Sequence, residues 1–433
     1  MPSAESSPPS PAPQNSRPRF LAVPFGLAGG LAGGLADGLA DGPGDGPAHG
    51  PAASGPWAPF ATRPLHALLF GTRTLGERLE EATGLRISGG DSPGGESPSE
   101  PTLRLDPRFI PERRIPVESL LAHLRASPGD PLRLVAPGGI PVGSFGLPGV
   151  DSHRSAPPPT RDFDLSGSVL ASPWDLMEKN GERITRDLLD QPPADALPLD
   201  PLPPGVFVLG AYPVTAAPGV RLDPQVVLDA RKGPIHLAAG VEVQAMTRLE
   251  GPAWIGPRTR LQGGIFSSLS TGPVCRLRGE IEASVINGWC NKAHDGYLGH
   301  AVLGRWVNLG ALTTNSDLKN TYGTVRVPIS PSETVDTGMI KIGVLLGDHV
   351  KTGIGTLLNT GTVVGTGSTL FAGGGLPPRW VPPFSWGAGA TLTPYRLEAF
   401  LEVAERAMSR RDVVLEEEER RALVALWHAV HAP

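Results

Sequence analysis

The side chains best able to do chemistry concentrate between Gly288 and Gly323, around Asn291-Lys292-Ala293-His294-Asp295-Gly296-Tyr297-Leu298-Gly299-His300. Histidine titrates near neutral pH, so His294 could take a proton from an attacking nucleophile. His294, Asp295, His300 and His349 could also be read as ligands, but their spacing fits no standard metal motif, and no metal is expected. Cys275 and Cys290 sit in no recognised low-pKa context, and inert thiols are expected. The glycine-rich repeat LAGG, LAGG, LADG, LADG, PGDG, PAHG, from Leu27 to Gly50, contains no Lys or Arg and matches neither phosphate-binding glycine spacing.

The element that positions these residues shows itself as a six-residue beat. Tyr297, Leu303 and Leu309 occupy one position, with Ala301, Val307 and Thr313 four residues after each. The beat returns at Leu346, Thr352, Leu358, Val364 and Leu370, with Val350, Thr356, Thr362 and Ser368 again four further on. A bulky residue pointing into an axis and a small one at the corner are the signature of a parallel β-helix built from hexapeptides. Tyr297 is thereby expected to point inward. Short Val/Ile/Leu strands between Gly and Pro extend this domain over 205–392, interrupted by an extruded loop over 315–337.

Two helices follow, one opening at Thr393-Pro394 with Leu397, Phe400, Leu401, Ala404 and Met408 on one face, the other over 413–428. Their expected role is to cover unpaired backbone at the end of the coil. Before the coil, residues 57–204 alternate short strands and helices, which predicts a small α/β layer structure ending in a proline-rich linker. Leu65–Leu85 reads as a strand edge followed by an amphipathic helix with Leu75, Leu79 and Ala82 on one face, further helices are expected at Val117–Leu124 and Pro173–Leu189, and strands at Phe20–Val23 and Leu132–Val135. Residues 1–56 read as a low-complexity segment unable to order itself.

Composition narrows the function. Glycine (56) and proline (49) make up about a quarter of the 433 residues, concentrated in the N-terminal segment and the loops. The net charge of −5 and the lack of a basic run argue against nucleic acid or an anionic membrane as partner. Two cysteines cannot build a disulfide framework, and no apolar run approaches the ~20 residues of a membrane span. A cytoplasmic protein is expected.

Over the coil the chain resembles the left-handed β-helix acyltransferases, in particular the bifunctional enzymes that acetylate glucosamine 1-phosphate and then uridylylate it, and a divergent group of sugar-nucleotidyltransferase-like proteins related to them. The residues that carry the resemblance are Gly272-Pro273-Val274-Cys275-Arg276-Leu277-Arg278, Asn291-Lys292-Ala293-His294, Tyr297-Leu298-Gly299, Val307-Asn308-Leu309-Gly310-Ala311, Lys319-Asn320-Thr321-Tyr322-Gly323 and Gly347-Asp348-His349. In the N-terminal half Thr62-Arg63-Pro64 and Pro173-Trp174-Asp175 extend it.

The resemblance implies triangular coils, a homotrimer with its active site between subunits, and acetyl-CoA as acyl donor. The acceptor would be an amino sugar or its phosphate in sugar-nucleotide biosynthesis, so the partners are a sugar phosphate or sugar nucleotide. It makes His294 the general base and places Arg278, Lys292, Tyr297, Asn308, Asn315 and Lys319 at the substrate, with Arg63 as a phosphate contact. Two features depart from the family. Glu282 stands where a second cation would hold the sugar phosphate, and the N-terminal domain lacks the loop and acidic residues that a magnesium-dependent nucleotidyltransferase needs, so it reads as degenerate. Magnesium is implied only if that domain is active. The alternatives are a sugar-1-phosphate nucleotidyltransferase with a structural β-helix, and a non-catalytic scaffold that binds sugar nucleotides.

Overall fold

The structure, a computed structural model, describes residues 19–22, 56–60, 62–87, 101–127, 131–146 and 161–431. The repeat at 27–50 lies outside the described residues. The chain divides into two units: 76–169 with the N-terminal strand, and 170–431 with the segment 56–75.

The smaller unit is an α/β structure. Its five-stranded sheet runs in the order Arg19–Ala22, Thr102–Leu105, Ile140–Gly146, Leu132–Ala136, Arg161–Asp164, the outer pairs parallel and the inner pairs antiparallel. Leu79 and the helix Val117–Ala126 pack on it, with Leu103, Leu105, Leu120, Leu124, Leu134 and Phe145 forming the core.

The larger unit is a β-solenoid of the left-handed β-helix type with about ten turns. In the first coils each strand pairs in parallel with the strand three further on, so one coil has three faces. The residues pointing inward stack in columns: Leu237, Ile255, Thr271, Ile286, Leu303, Leu346, Val364 and Val381 on the first face. The second face stacks Val243, Leu261, Leu277, Lys292, Leu309, Thr352 and Leu370, and the third Leu249, Phe266, Ile281 and Leu298. Each buried Leu or Ile of such a column contributes about 1.5–3 kcal/mol, which is what selects the six-residue spacing. The inward residue on the third face is Leu298 (2% exposed), so Tyr297 points outward, contrary to expectation. The beat slips here because the step from Leu298 to Leu303 is one residue short of six.

Leu197–Pro198 pairs antiparallel with Val214–Ala216, the parallel ladder runs from Phe207–Gly210, and it ends where Thr391–Pro394 turns back antiparallel on Ser385–Ala388. The extruded loop contains an antiparallel hairpin, Arg326–Pro328 with Thr334–Asp336, after which the coil resumes by pairing Leu303 with Leu346.

The first face also carries buried residues on its outside: Ser270, Val285, Val302, Leu345 and Val363 are at most 1% exposed. Segment 56–75 and the helices Pro173–Glu178 and Asn180–Asp190 cover them. Leu69 donates its N–H to Asn287 Oδ1 (2.7 Å), Gly71 to Asn180 Oδ1 (3.1 Å), and Ser270 Oγ donates to the Gly71 carbonyl (2.7 Å). An apolar outer face needs such a cover, and this is why both segments belong with the coil rather than with the sheet. The Pro173-Trp174-Asp175 motif serves the same end: the Asp175 carboxylate accepts the Ala171 N–H (2.7 Å) at the start of its helix.

The C-terminal helices, Leu397–Ser409 and Glu417–His431, bury Phe400, Ala404, Met408, Leu423 and Leu426. They close the last coil and extend back along the corner between the first and second faces. That corner stacks Trp289, Trp306, His349 and Phe384, each with positive φ (52°, 63°, 60°, 55°). Trp289 and Trp306 stack at 5.4 Å and Phe400 meets Phe384 edge-on at 5.0 Å, so both tryptophans pack within the chain.

Candidate functional site

The residues singled out by sequence separate into three places. The first is the corner between the second and third faces. His294 is exposed there, and no hydrogen bond or ion pair links its side chain to Tyr297, Asn308 or Arg278 among the described residues. Beside it Arg278 Nε pairs with Asp295 Oδ1 (3.0 Å) while its Nη1 donates to the Gln262 carbonyl (2.7 Å), leaving the guanidinium 46% exposed. Asn291 Nδ2 donates to Asn308 Oδ1 (2.8 Å) on the adjoining second face, in an outward column that continues from Arg276 below to Lys351 above.

Lys292 lies on the inside of this corner. It is 2% exposed, and its Nζ donates to the carbonyls of Arg278 (2.9 Å) and His294 (2.8 Å). Burial pulls its pKa down to about 8, with Asp295 acting weakly the other way. A buried ammonium that holds two backbone carbonyls braces the corner from within.

The second place is a cluster at the corner between the third and first faces. Gly299 lets the Tyr297 ring fold over it, since a Cβ there would come within 2.1 Å of the tyrosine Oη. The hydroxyl therefore reaches away from His294, donating to Asp317 Oδ2 (2.8 Å) and lying 3.2 Å from Glu282 Oε2. His300 Nδ1 lies 2.7 Å from Asp317 Oδ2, and Lys341 Nζ is 3.8 Å from Glu282 Oε1. Burial raises and the His300 and Tyr297 hydrogen bonds lower the Asp317 pKa, and the hydrogen bonds win, holding its carboxyl below the usual range. Burial, followed by the two carboxylates, pushes the Tyr297 phenol upward, so it stays a donor.

Donor atoms of Glu282, His300 and Asp317 lie within 4.8 Å of one another. Of this cluster, the resemblance places Tyr297 alone at a substrate. Asp317 and Glu282 sit in different coils, and only the stacking of coils brings them to His300. The one usable signal is the short spacing Tyr297-Leu298-Gly299-His300, with a glycine where a tyrosine ring must pass.

The remaining residues named from the resemblance each have partners within the chain. Asn315 is 2% exposed, with Nδ2 donating to the Gly299 carbonyl (3.0 Å) and Oδ1 accepting the Gly299 N–H (3.0 Å), so its amide locks neighbouring coils together. Lys319 Nζ donates to the Thr324 carbonyl (2.9 Å) inside the extruded loop. Arg63 is held by two carboxylates, Asp348 (2.9 Å) and Glu419 (2.5 Å), and is no open phosphate contact. Asp348 also accepts from Thr62 Oγ1 (3.0 Å) and the Arg305 N–H (2.6 Å), which is the structural use of the Gly347-Asp348-His349 motif.

In fold and site the chain is of the hexapeptide β-solenoid type, with polar clusters at the coil corners. It is similar to the bifunctional protein GlmU of Synechococcus sp., 28% identical over 186 residues, covering 34% of this chain and 27% of the relative. To GlmU of Picosynechococcus sp. it is 32% identical over 125 residues, covering 28% of this chain and 22% of the relative. The chain thus spans about a quarter of the length of these curated relatives. No protein-family model matches it.

Among solved structures, AntD, an N-acyltransferase from Bacillus cereus, matches over 46% of this chain and 90% of its own, as a serine-to-alanine mutant with dTDP-4-amino-4,6-dideoxyglucose and coenzyme A, at 13% identity and a TM-score of 0.20. An aspartate-to-alanine mutant of the same enzyme with dTDP and coenzyme A gives 11% identity and a TM-score of 0.18 over 47% of this chain and 90% of its own. Scores this low carry no residue correspondences.

Proposed function

We propose that this protein is an acyl-CoA-dependent transferase, an N-acetyltransferase acting on an amino sugar or sugar phosphate in sugar-nucleotide synthesis, with a degenerate nucleotidyltransferase-like unit attached. The observation that carries the reading is the corner holding His294. It continues through the next coils as Leu312 (58% exposed) and Ile354 (72%), with Leu357 (55%) beside them. Solvent-facing apolar side chains stacked next to an exposed histidine and an amide pair suit a contact between copies of the chain with a ligand at its margin. The similarity to the bifunctional protein GlmU supports the same chemistry. In this reading the protein is a cytoplasmic homotrimer, acetyl-CoA lies along the later coils, and a surface histidine accepts the amine proton; the resemblance assigns that part to His294.

Calorimetric titration with acetyl-CoA, on the wild type and His294→Ala, tests the acyl-donor half. Saturable binding in both is expected. Its absence from the wild type sinks the proposal and points to nucleoside triphosphates or sugar nucleotides as ligands instead.

A further inference from the structure

The second face turns a run of arginines outward, beside the turn that joins the two C-terminal helices. Arg221, Glu242, Arg260 and Arg276 follow one another in register on successive coils. Adjacent strands lie about 4.8 Å apart, so each of these charges is set against the next. Glu242 is taken up from both sides: Arg221 pairs with its Oε1, and Arg260 Nε lies 2.9 Å from its Oε2. Arg276 is left at the end of the row, with the neutral Asn291 above it. Arg410 and Arg411 follow the helix Leu397–Ser409, and Arg411 lies within electrostatic reach of Arg276, Arg410 and Arg260. Arg276 and Arg411 are half-buried. Among the described residues, the side chains of Arg276, Arg410 and Arg411 make no hydrogen bond or ion pair within the chain, and the carboxyl end of the helix accepts from neither Arg410 nor Arg411.

Burial, followed by the charge of Arg260, pulls the Arg276 guanidinium below its ordinary value, and burial, followed by Arg276, Arg410 and Arg260, does the same to Arg411. A solvated surface arginine costs nothing, but half-buried guanidiniums that repel one another and lack an acceptor oppose folding. Such a concentration of positive charge, in a chain whose net charge is −5, draws in a counter-charge from solution. A single carboxylate would leave most of it unbalanced, whereas phosphate groups bring several oxygens and more than one charge to fork-shaped donors. We infer that Arg276, Arg410 and Arg411 form a binding site for a ligand that carries a diphosphate or two phosphates. The site lies on the second face beside the corner shared with the first, whereas His294 stands at the corner shared with the third. Arg260, held by Glu242, forms its lower edge.

Titration calorimetry of the full chain with inorganic pyrophosphate, uridine diphosphate and adenosine 3′,5′-bisphosphate, all at one ionic strength, tests the site. The wild type should bind at least one of them saturably. Arg276→Gln and Arg411→Gln should each weaken that binding about 10- to 100-fold. Arg406→Gln, on the same helix but exposed and paired with Glu402, should leave it unchanged. The probes also separate the sources of the phosphate, and each supports the site: preference for uridine diphosphate assigns it to a nucleotide-linked ligand, for the bisphosphate to a coenzyme A-like one, and for pyrophosphate to the free anion.

Thermal melts without added anion separate a ligand site from a structural one. Removing either guanidinium relieves repulsion, so both variants should melt at or above the wild type, and the rise in Tm on adding pyrophosphate should shrink in both. Variants that melt lower without anion would make Arg276 and Arg411 structural cations and overturn the inference. So would a wild type that binds none of the three probes, unchanged affinity in Arg276→Gln and Arg411→Gln, or a loss in Arg406→Gln equal to theirs. The site does not depend on acyl transfer. Failure of acetyl-CoA to bind, with pyrophosphate bound as expected, would count against acyl transfer alone.

Discussion

Replacing Lys292 by Met separates a structural role from a substrate role, because the two leave different marks on pH dependence. In the unfolded chain the ammonium holds its proton up to its ordinary value of 10.5, whereas the folded protein releases it at about 8. Between those values the unfolded state binds more protons, so stability rises with pH there. The slope is about 1.4 kcal/mol per pH unit and the whole rise about 3 kcal/mol. Below the folded pKa the wild type bears the full cost of a buried charge, and above the unfolded pKa it bears none. Lys292→Met removes this titration and also strips two carbonyls of their donor, a loss that does not change with pH. Urea unfolding of both proteins at pH 7, 8, 9 and 10, followed by tryptophan fluorescence, should therefore show the wild type gaining on the mutant by about 2–3 kcal/mol across the series. Two stability curves that stay parallel would refute burial of the ammonium and return Lys292 to the substrate side of the corner.

Asp348→Ala should cost about 3–5 kcal/mol in chemical denaturation, because it leaves Arg63, Thr62 and the Arg305 N–H without their shared acceptor at a position 4% exposed. Gly343→Ala would place a Cβ 1.9 Å from the Gly299 carbonyl oxygen, and a loss of at least about 1–3 kcal/mol in thermal melts is expected, with soluble yield falling first. Phe400→Ala, at 2% exposure against Phe384 and His349, should lose about 3–5 kcal/mol and make the C-terminal helices the earliest region to exchange amide hydrogens. Asp317→Asn should lower stability at neutral pH. Because the native Asp317 carboxyl titrates below its ordinary range, the deficit should vanish as pH falls through that lowered value, and circular-dichroism melts taken in steps downward from pH 7 will show it.

The coil was legible because its requirement is local and periodic. One apolar residue per six must enter the axis, and Leu346, Thr352, Leu358, Val364 and Leu370 keep that register through to the last coils. The beat misplaced Tyr297 by one position because a five-residue step leaves no mark in composition; only the pairing of Ile281 with Leu298 reveals it. The helices Val117–Ala126 and Leu397–Ser409 were equally readable from their apolar faces.

Of the candidate site, His294 stood out as a residue able to take a proton, and Asn308 and Arg278 were placed beside it only by the resemblance to the hexapeptide acyltransferases. Lys292 and Asn315 have the same residue types as ligand contacts, and what decides their role is burial, which sequence does not display. The sequence by itself determined that six-residue coils stack and, in the last coils, which residues share a column. Only the tertiary structure decided that Glu282, His300 and Asp317 meet at one corner, and that segment 56–75 and two helices cover the first face. Those contacts join residues from separate coils or distant segments, and their partners are chosen by which outer surfaces must leave water rather than by any spacing along the chain.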